Sequence, residues 1–305
     1  EYNNLGLVIV DEQHRFGVQQ RKTLKDKNKN GLTPHFFSMT ATPIPRSLAL
    51  ILYGDLDLSL IKEMPKGRKK IITRIIDELQ RYEAYQFIRD EVNKGRQVFV
   101  ICPLIDPSDN FGVKSATLEY KKLSQEVFPD LKIGLLHGKL KYLDKVKVMK
   151  DFKENNLNIL VSTSVVEVGI DIPNATIMVI EGADRFGLAQ LHQFRGRVGR
   201  GEYQSYCLLF SENNNSKTRE RLEALVKSND GFALAEYDLK FRGPGEIFGT
   251  RQSGLPELRV ASLTNLGLIN ETRELAKEFF QNYRLDDYPL IKNQLENKGF
   301  IDHLE

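Results

Sequence analysis

Two adjacent carboxylates end the first apolar run of the chain. The run Leu7–Val10 is followed directly by Asp11 and Glu12, and then by an amide and an imidazole. A strand of a parallel sheet that ends in carboxylates places them at the carboxyl edge, where α/β folds bind ligands. Such a pair suits nucleoside triphosphate chemistry, with Asp11 holding Mg²⁺ and Glu12 orienting and deprotonating the attacking water. A solvated turn after a strand is the alternative, and the dipeptide alone favours it.

Small hydroxyl residues lie at the end of the next predicted strand, 34–40. Thr40, Ala41 and Thr42 are followed by Pro43, which cannot continue a strand. Their hydroxyls can hydrogen-bond to the neighbouring carboxylates and transmit the state of a bound nucleotide. The alternative is that the threonines only cap the helix that follows, and the tripeptide alone favours this simpler role.

The segment 193–201, QFRGRVGRG, is a much more specific signal. Arg197 and Arg200 are three residues apart, about one helical turn. Two guanidinium groups on one face can neutralise charge on a transferring phosphoryl group. The glycines beside them are Gly196, Gly199 and Gly201. We expect these glycines to clear space around the guanidinium groups, which a merely solvated basic face would not require.

The segment 162–173 also follows a predicted strand and carries polar residues. Ser162 and Thr163 can donate hydrogen bonds to a nucleic-acid phosphate. Gly169 permits close approach of a ligand to the backbone, and Asp171 offers a carboxylate to a ribose or to a relay.

The bulk composition limits the classes of protein that can carry these residues. The chain has 305 residues, of which 41% are hydrophobic and 28% charged, and its formal net charge is +3. This length is too great for one ordinary core and suits two domains with an appendage. Because the net charge is small, nucleic-acid binding would have to depend on local patches.

Apolar runs and cysteine usage indicate a protein of a reducing compartment. No run approaches the length of a transmembrane helix, and none is predicted. Cys102 and Cys207 are isolated, and each lies in an apolar run. We expect both to be small buried residues rather than a disulfide or a metal-binding pair.

Short apolar strands alternate with helical segments through most of the chain, which predicts βαβ units and parallel sheets. The predicted strands lie at 6–10, 34–40, 58–61, 97–101, 132–136, 158–162, 176–180 and 205–210. The charged segment 62–70 has the composition of a linker. We interpret its Arg68, Lys69 and Lys70 as a solvated charge run rather than a phosphate contact. Beyond residue 211 the pattern becomes helical, interrupted by a segment rich in glycine at 241–254.

In chain order, four segments resemble motifs II, III, V and VI of the superfamily 2 helicases and translocases: 11–14, 40–42, 162–173 and 193–200. The resemblance implies two RecA-like domains with ATP bound in the cleft between them. It implies Mg²⁺ at Asp11, a catalytic base at Glu12 and coupling through Thr40 and Thr42. It further implies a nucleotide-binding role for Gly169, Asp171 and Gln193, and fingers from the opposite domain at Arg197 and Arg200.

The segment 238–254, DLKFRGPGEIFGTRQSG, resembles the translocation motif shared by the RecG family and the transcription-repair coupling factor. In these enzymes the motif follows a helical hairpin, here at about 217–240, and links ATP-driven domain closure to movement along double-stranded DNA. Its polar positions are Arg242, Glu246, Arg251 and Gln252. The sequence Asp-Glu-Gln-His at 11–14 and the Arg-Gly-Pro-Gly-Glu of the loop favour the RecG family. The alternative for the loop is a simple surface turn.

The resemblance covers nearly the whole chain and implies an ATP-dependent translocase of double-stranded DNA that remodels stalled replication forks and Holliday junctions. We expect an α/β fold with one partial and one complete RecA-like sheet and a C-terminal helical appendage, divided at 1–62, 63–211 and 212–305. Expected partners are branched and double-stranded DNA and single-stranded-DNA-binding protein. A cytoplasmic monomer is expected. The coupling factor and a non-catalytic DNA-binding module remain alternatives.

The chain contains no sequence of the form G-x-x-x-x-G-K-[ST], the loop that cradles nucleotide phosphates. Without that loop, there are no cradling amides and no lysine for the β- and γ-phosphates. We therefore expect the chain to be the C-terminal part of a motor, and we expect no ATP hydrolysis by the chain alone.

Overall fold

The computed structural model describes most of the chain, and the chain divides into two compact units. One unit comprises residues 62–234, and the other comprises 1–61 together with 235–305. The described residues are 5–12, 34–41, 59–61, 63, 67–103, 113–163, 171–211, 213, 215–242 and 266–297. The helices predicted before and after the second strand, at 17–27 and 45–52, lie outside these ranges.

A pair of parallel strands forms the described N-terminal part of the chain. Strand β1 (Leu7–Val10) pairs with β2 (His35–Ser38), and the register places Val10 opposite Ser38. Along β1 the side chains alternate between exposed and buried, as expected of a strand with one covered face. Both predicted strands are confirmed. The further strand predicted near 58–61 is wrong over the described residues 59–61, which are not extended into a sheet.

A six-stranded parallel sheet forms the centre of the other unit. Its strands are β3 (Ile72–Ile76), β4 (Gln97–Ile101), β5 (Ile133–Leu136), β6 (Ile159–Ser162), β7 (Ala175–Ile180) and β8 (Tyr206–Phe210). The spatial order is β3-β8-β7-β4-β6-β5. Strands β4, β6 and β7 are buried at every residue, because helices cover both faces of such a sheet. The α/β class with RecA-like parallel sheets is confirmed.

Helices connect the strands and continue beyond the sheet. They are α1 (Arg81–Asn93), α2 (Val113–Lys122), α3 (Tyr142–Lys153), α4 (Leu188–Arg195), α5 (Ser216–Lys227), α6 (Gly231–Arg242), α7 (Leu266–Asn282) and α8 (Pro289–Asn297). Helix α2 was predicted to begin near residue 118, five residues later than it does. A wider helical turn, Leu123–Val127, extends it. None of the described helices is long and apolar enough to cross a membrane.

Core packing fixes the helices against the sheet. On α3, Phe152 is fully buried, and its ring lies 5.0 Å from that of Phe99 on β4. On α1, Ile88 and Val92 are buried against the same sheet. Cys102 and Cys207 are buried and unpaired with each other, so the prediction of buried free thiols is confirmed.

Strand β3, which forms one edge of the sheet, is not among the strands predicted from the sequence. Its residues ITRII alternate in burial, unlike the continuous apolar runs of the central strands. The register places Ile72 opposite Tyr206, and the Ile72 amide donates to the Ser205 carbonyl at 3.0 Å. This pairing holds the segment before β3 against the segment before β8, at the amino edge of the sheet.

Candidate functional site

The paired carboxylates lie where the sequence places them, at the carboxyl end of β1. The amide of Glu12 donates to Oδ1 of Asp11 at 2.8 Å, and Glu12 has a φ of 51°. A left-handed backbone is costly for a residue with a Cβ, and such conformations concentrate at functional sites. Because Val10 and Ser38 are opposite each other, Thr40 emerges at the same edge. The structure therefore brings Asp11, Glu12 and Thr40 to one end of the strand pair.

The donor set at this edge fits Mg²⁺. Asp11 is exposed and offers a hard carboxylate oxygen. Magnesium in nucleotide sites commonly uses one or two carboxylates, with phosphate and water oxygens completing the octahedron. Among the described residues no three His, Cys, Asp or Glu side chains form a denser metal centre. The edge is consistent with a metal held jointly by Asp11 and a nucleotide.

The segment 196–201, called here the finger loop, follows α4 directly. It carries Arg197 and Arg200 and lies at the amino edge of the six-stranded sheet, close to Asp171. Arg200 Nη1 is 3.7 Å from Asp171 Oδ1. Gln193, at the start of the same sequence motif, lies half-buried on α4. The structure thus brings together charged residues from two separate sequence motifs.

Arg68 binds the finger loop through main-chain carbonyl oxygens. Its Nε donates to Gly199 at 3.0 Å, and its Nη2 donates to Gly196 and to Val198, each at 3.3 Å. Burial lowers the pKa of Arg68, and the nearby charge of Arg200 lowers it further. The prediction of a solvated charge run is therefore wrong for Arg68, whereas Lys69 and Lys70 are exposed as expected.

Two glycines of the finger loop are required by the backbone and its close neighbours, and not only by the space that the arginines need. Gly199 has a φ of 76°, and an added Cβ would lie 3.0 Å from the Ile71 side chain. An added Cβ at Gly201 would lie 2.6 Å from the carbonyl oxygen of Pro173, too close for any real contact. At Gly196 the nearest atom would be 3.4 Å away, which is ordinary contact. Two of the three glycines are therefore required by close approach.

His192 on α4 accepts a hydrogen bond that fixes its protonation. Arg195 Nη2 lies 2.9 Å from His192 Nδ1, and a guanidinium group can only donate. Nδ1 therefore carries no proton, and the ring is neutral. Burial lowers the pKa of His192 to about 4, and the adjacent charge of Arg195 contributes in the same direction.

Two buried arginines join α4 and its approach to α5. Arg195 Nη1 donates to the Leu225 carbonyl at 2.6 Å. Arg221 on α5 donates to the carbonyls of Phe186 and Asp184, each at 2.6 Å. Charge-assisted hydrogen bonds in buried surroundings are strong, and losing the donor would leave the carbonyls unsatisfied. The first helix after the sheet is therefore fixed to the helix that precedes the finger loop.

Ser162 and Thr163 lie at the opposite, carboxyl edge of the same sheet. Ser162 is fully buried, and its hydroxyl donates to the Thr163 carbonyl at 2.8 Å. The Thr163 hydroxyl is buried and has no hydrogen-bond partner within the described part of the chain. Among the described residues, the Ser162 hydroxyl already donates a hydrogen bond, whereas the Thr163 hydroxyl does not. Of the two predicted phosphate donors, Thr163 is therefore the one that could donate to a phosphate.

A buried ion pair lies at the carboxyl edge and was not predicted. Arg81 on α1 binds Glu181, which follows β7, through two hydrogen bonds of 3.1 and 3.0 Å. Burial and, to a smaller extent, the negative charge of neighbouring Glu119 raise the pKa of Glu181 to about 7. Nothing in the local sequence distinguishes Glu181 from a solvated strand-end carboxylate, because its partner is 100 residues away.

Several predicted site residues cannot be placed. Thr42, Gly169, Glu246, Arg251 and Gln252 lie outside the described residues. Arg242 is the last residue of α6, and only its backbone is described.

Comparison with protein families matches two segments of the chain. Residues 77–202 match the helicase conserved C-terminal domain, and residues 228–297 match the model described as ATP-dependent DNA helicase RecG, domain 3, C-terminal. The first segment runs from just before α1 to just past the finger loop and contains four strands of the sheet, β4 to β7. The second begins next to α6.

Curated relatives named ATP-dependent DNA helicase RecG align with nearly all of the chain. The Synechocystis protein is 51% identical over 94% of this chain, and the Streptococcus pneumoniae protein is 46% identical over 99%. The chain spans only 34% and 45% of these two relatives, respectively.

Among solved structures, one described as RecG bound to a three-way DNA junction aligns with a TM-score of 0.67 and 48% identity. It covers 88% of this chain and 34% of that one. The yeast protein Dbp5 bound to RNA and ADP BeF3 aligns with a TM-score of 0.54 at 15% identity, covering 79% of this chain and 63% of its own. The second likeness concerns the fold alone.

We predict that Gly201→Ala destabilises the unit of residues 62–234 by roughly 1–3 kcal/mol, because the new methyl group would overlap the Pro173 carbonyl. Gly196→Ala is the matched control, since its backbone is helical and its surroundings are open. It should leave the free energy of unfolding unchanged or raise it by up to about 1 kcal/mol. Urea unfolding of the two variants measures the difference. Equal stabilities would show that the loop can move away from Pro173.

We predict that His192 makes the fold less stable in acid. With a folded-state pKa of about 4 against an ordinary value of 6.5, the unfolded state takes up the proton first. The stabilising contribution is complete above pH 6.5 and is lost as the pH falls towards 4, by about 3 kcal/mol in total.

The variant His192→Asn retains an acceptor for Arg195 but cannot titrate, so it isolates this contribution. The difference in unfolding free energy between the parent and variant chains should therefore change between pH 6.5 and 4. Urea unfolding at several pH values measures it. A difference that stays constant over this range would contradict a neutral buried imidazole.

Proposed function

We propose that the chain forms the C-terminal motor portion of an ATP-dependent translocase of double-stranded DNA. The chain belongs to the RecG helicase family, since 94% of its residues align with a RecG protein at 51% identity. Such a motor would remodel stalled replication forks and Holliday junctions. The observation that carries the proposal is the likeness, at 48% identity, to RecG bound to a three-way DNA junction. The finger loop supplies the chemistry that this likeness requires.

In this proposal, the metal ion and the attacking water are held at the end of the strand pair β1 and β2. Asp11 holds Mg²⁺, which when bound neutralises charge on the nucleotide phosphates. Glu12 orients the attacking water and accepts its proton, while Thr40 and Thr42 couple the state of the nucleotide to the protein. The assignments of Asp11, Glu12 and Thr40 are supported by the position of these residues at the ends of β1 and β2, and that of Thr42 by the resemblance of its sequence motif.

The finger arginines complete the nucleotide site in the proposed reaction. Arg197 and Arg200 donate to the transferring phosphoryl group and stabilise its charge in the transition state. Asp171 binds the ribose, with Gly169 and Gln193 beside the nucleotide. The 3.7 Å separation of Arg200 and Asp171 supports a common ligand for the two groups.

Coupling to DNA is proposed to run through the helical hairpin. The hydrogen bonds of Arg195 and Arg221 attach α5 to α4, so a displacement of the finger loop carries the hairpin with it. The translocation residues would then act on the duplex; they are Arg242, Glu246, Arg251 and Gln252. Thr163, together with Ser162, would bind a DNA phosphate from the other edge of the sheet.

The proposed domains are the C-terminal part of RecA-like domain 1 at 1–62, domain 2 at 63–211, and the translocation region at 212–305. The proposed partners are branched and double-stranded DNA, with single-stranded-DNA-binding protein as a protein partner. We further propose a cytoplasmic monomer. The absence of a phosphate-binding loop sequence from the 305 residues supports the proposal that the chain alone does not hydrolyse ATP.

We predict no ATP hydrolysis by this chain alone, with or without linear duplex or a model fork. The Thermotoga maritima protein named ATP-dependent DNA helicase RecG is 52% identical over 91% of this chain. Joining the chain to the part of that relative that it does not match should restore turnover that the fork stimulates. In that chimera, Arg197→Ala should lower kcat by roughly 10³-fold, the scale of a lost arginine finger. Steady-state release of phosphate measures ATP hydrolysis by the chain alone, by the chimera and by the Arg197→Ala chimera.

The matched control is Arg185→Ala, since Arg185 is an exposed arginine of the same unit outside the proposed site. Turnover in the chimera should be unchanged by it. Hydrolysis by the chain alone would disprove the dependence on a separate phosphate loop. Full activity of the Arg197→Ala chimera would show that the chain acts as a DNA-binding module without a finger.

A further inference from the structure

We propose that Arg68 is a positioning residue that fixes the finger loop and thereby sets the placement of Arg197 and Arg200. The inference rests on the proposed function of those two arginines. It assigns a role to the charged segment before β3, which the sequence indicates only as a linker.

Arg68 reaches the finger loop from the segment that precedes β3. Its Nε and Nη2 atoms bind three carbonyl oxygens within four consecutive residues, at 3.0 to 3.3 Å. The neighbouring segment is also fixed, because Gln204 Nε2 donates to the Lys70 carbonyl at 2.8 Å. The chain around Arg68 is therefore attached to the stretch before β8 at more than one point.

These carbonyls are a natural site for a cation. Helix α4 ends at Arg195, and the last carbonyls of a helix and of the turn after it have no intrahelical donor. The negative end of the helix dipole also lies there and favours a positive side chain. Val198 is fully buried, so water has little access to this turn. Arg68 supplies from a distant part of the sequence the donors that the turn lacks.

Only arginine has the donor geometry for this contact. Its guanidinium group is planar, carries five N–H donors in a fixed fork and keeps its charge under all ordinary conditions. A lysine at position 68 would keep the charge, but its single ammonium group could not span the carbonyls of Gly196 and Gly199 in the same way. Arg68→Lys therefore separates loss of geometry from loss of charge.

The bound carbonyls bracket both finger residues. Arg197 lies between Gly196 and Val198, and Arg200 directly follows Gly199, so the backbone on which each side chain stands is fixed by Arg68. A displacement of about 1 Å of a catalytic group can reduce a rate by as much as 10²-fold. We expect Arg68→Gln to lower kcat by roughly 10- to 100-fold without altering the affinity for the ground-state nucleotide.

The first measurement is hydrogen exchange of this chain alone. The amides of Gly196, Arg197 and Val198 donate to carbonyls of the last turn of α4, so their exchange reports the order of the loop. We expect at least a tenfold faster exchange in Arg68→Gln and in Arg68→Lys. The control is Lys69→Gln, which removes an exposed charge at the next residue and should leave exchange unchanged.

Amides of the central strand β4 serve as an internal reference for global unfolding. If Arg68→Gln also accelerates the exchange of the β4 amides, the variant has lost global stability, and the exchange of the finger loop is then judged from Arg68→Lys. Faster exchange confined to the finger loop supports the proposal, whereas retained protection of the loop in Arg68→Lys overturns it.

The second measurement uses the chimera with the Thermotoga maritima part. Arg68→Gln should lower kcat with KM for ATP unchanged. It should also weaken binding of ADP with aluminium fluoride, which mimics the transferring phosphoryl group, while binding of ADP alone is preserved. A merely structural role would reduce both affinities or neither.

The outcomes separate this proposal from the proposed function. Unchanged loop exchange in Arg68→Gln overturns the positioning role whatever the chimera does. Undiminished kcat in Arg68→Gln, in a chimera that Arg197→Ala inactivates, overturns it and leaves the proposed function intact. A chimera that Arg197→Ala does not affect removes the proposed function itself.

Discussion

The end of α4 depends on arginine side chains that donate to main-chain carbonyls. Arg68 satisfies the turn that follows the helix, Arg195 donates to the Leu225 carbonyl, and Arg221 donates to carbonyls just before the helix. Each contact unites residues that are 30 or more positions apart. Because buried carbonyls must be satisfied, removing any of these donors carries a desolvation penalty as well as a lost hydrogen bond. Helix α4 and the finger loop that follows it are therefore attached to other parts of the chain at three points.

The sheet divides the unit of residues 62–234 into two chemical edges. The finger loop and Asp171 lie near the amino ends of the strands, whereas Thr163 and Glu181 lie at the carboxyl ends. Between them run β4, β6 and β7, buried at every residue. A close-packed core of this kind deforms little, so the edges are expected to move as one body. Under the proposed function, such rigidity would let a change at the nucleotide reach the DNA without being absorbed by the core.

The predictions from sequence succeeded where the signal is local and failed where it is not. Strand β4 was predicted with its observed bounds, because a continuous apolar run is visible in a short window. Strand β3 was missed because an edge strand is only partly buried. The Arg81–Glu181 pair was missed because its partners meet only in the fold.

Arg68 shows most clearly why the site could be predicted only in part. Its sequence neighbours are charged and flexible in composition, and nothing local separates it from Lys69 and Lys70. Its role depends on the end of a helix more than 120 residues later, which offers carbonyls without donors. The finger arginines are predicted from the local sequence, because two arginines and three glycines occur within six residues. The residue types of the loop are thus visible in a short stretch of sequence, whereas the contacts that position the loop are not.

The charge balance around the finger loop explains why the attachments must be this numerous. Burial lowers the pKa of Arg68, the nearby positive charge of Arg200 lowers it further, and Asp171 offsets part of the effect. Burial adds to the cost by removing water from Arg68. Arg68 is held near Arg200 by hydrogen bonds to the uncharged carbonyls of the finger loop. These bonds do not neutralise the positive charge of Arg68. Under the proposed function, a polyanionic ligand such as a triphosphate would offset the positive charge of these arginines on binding.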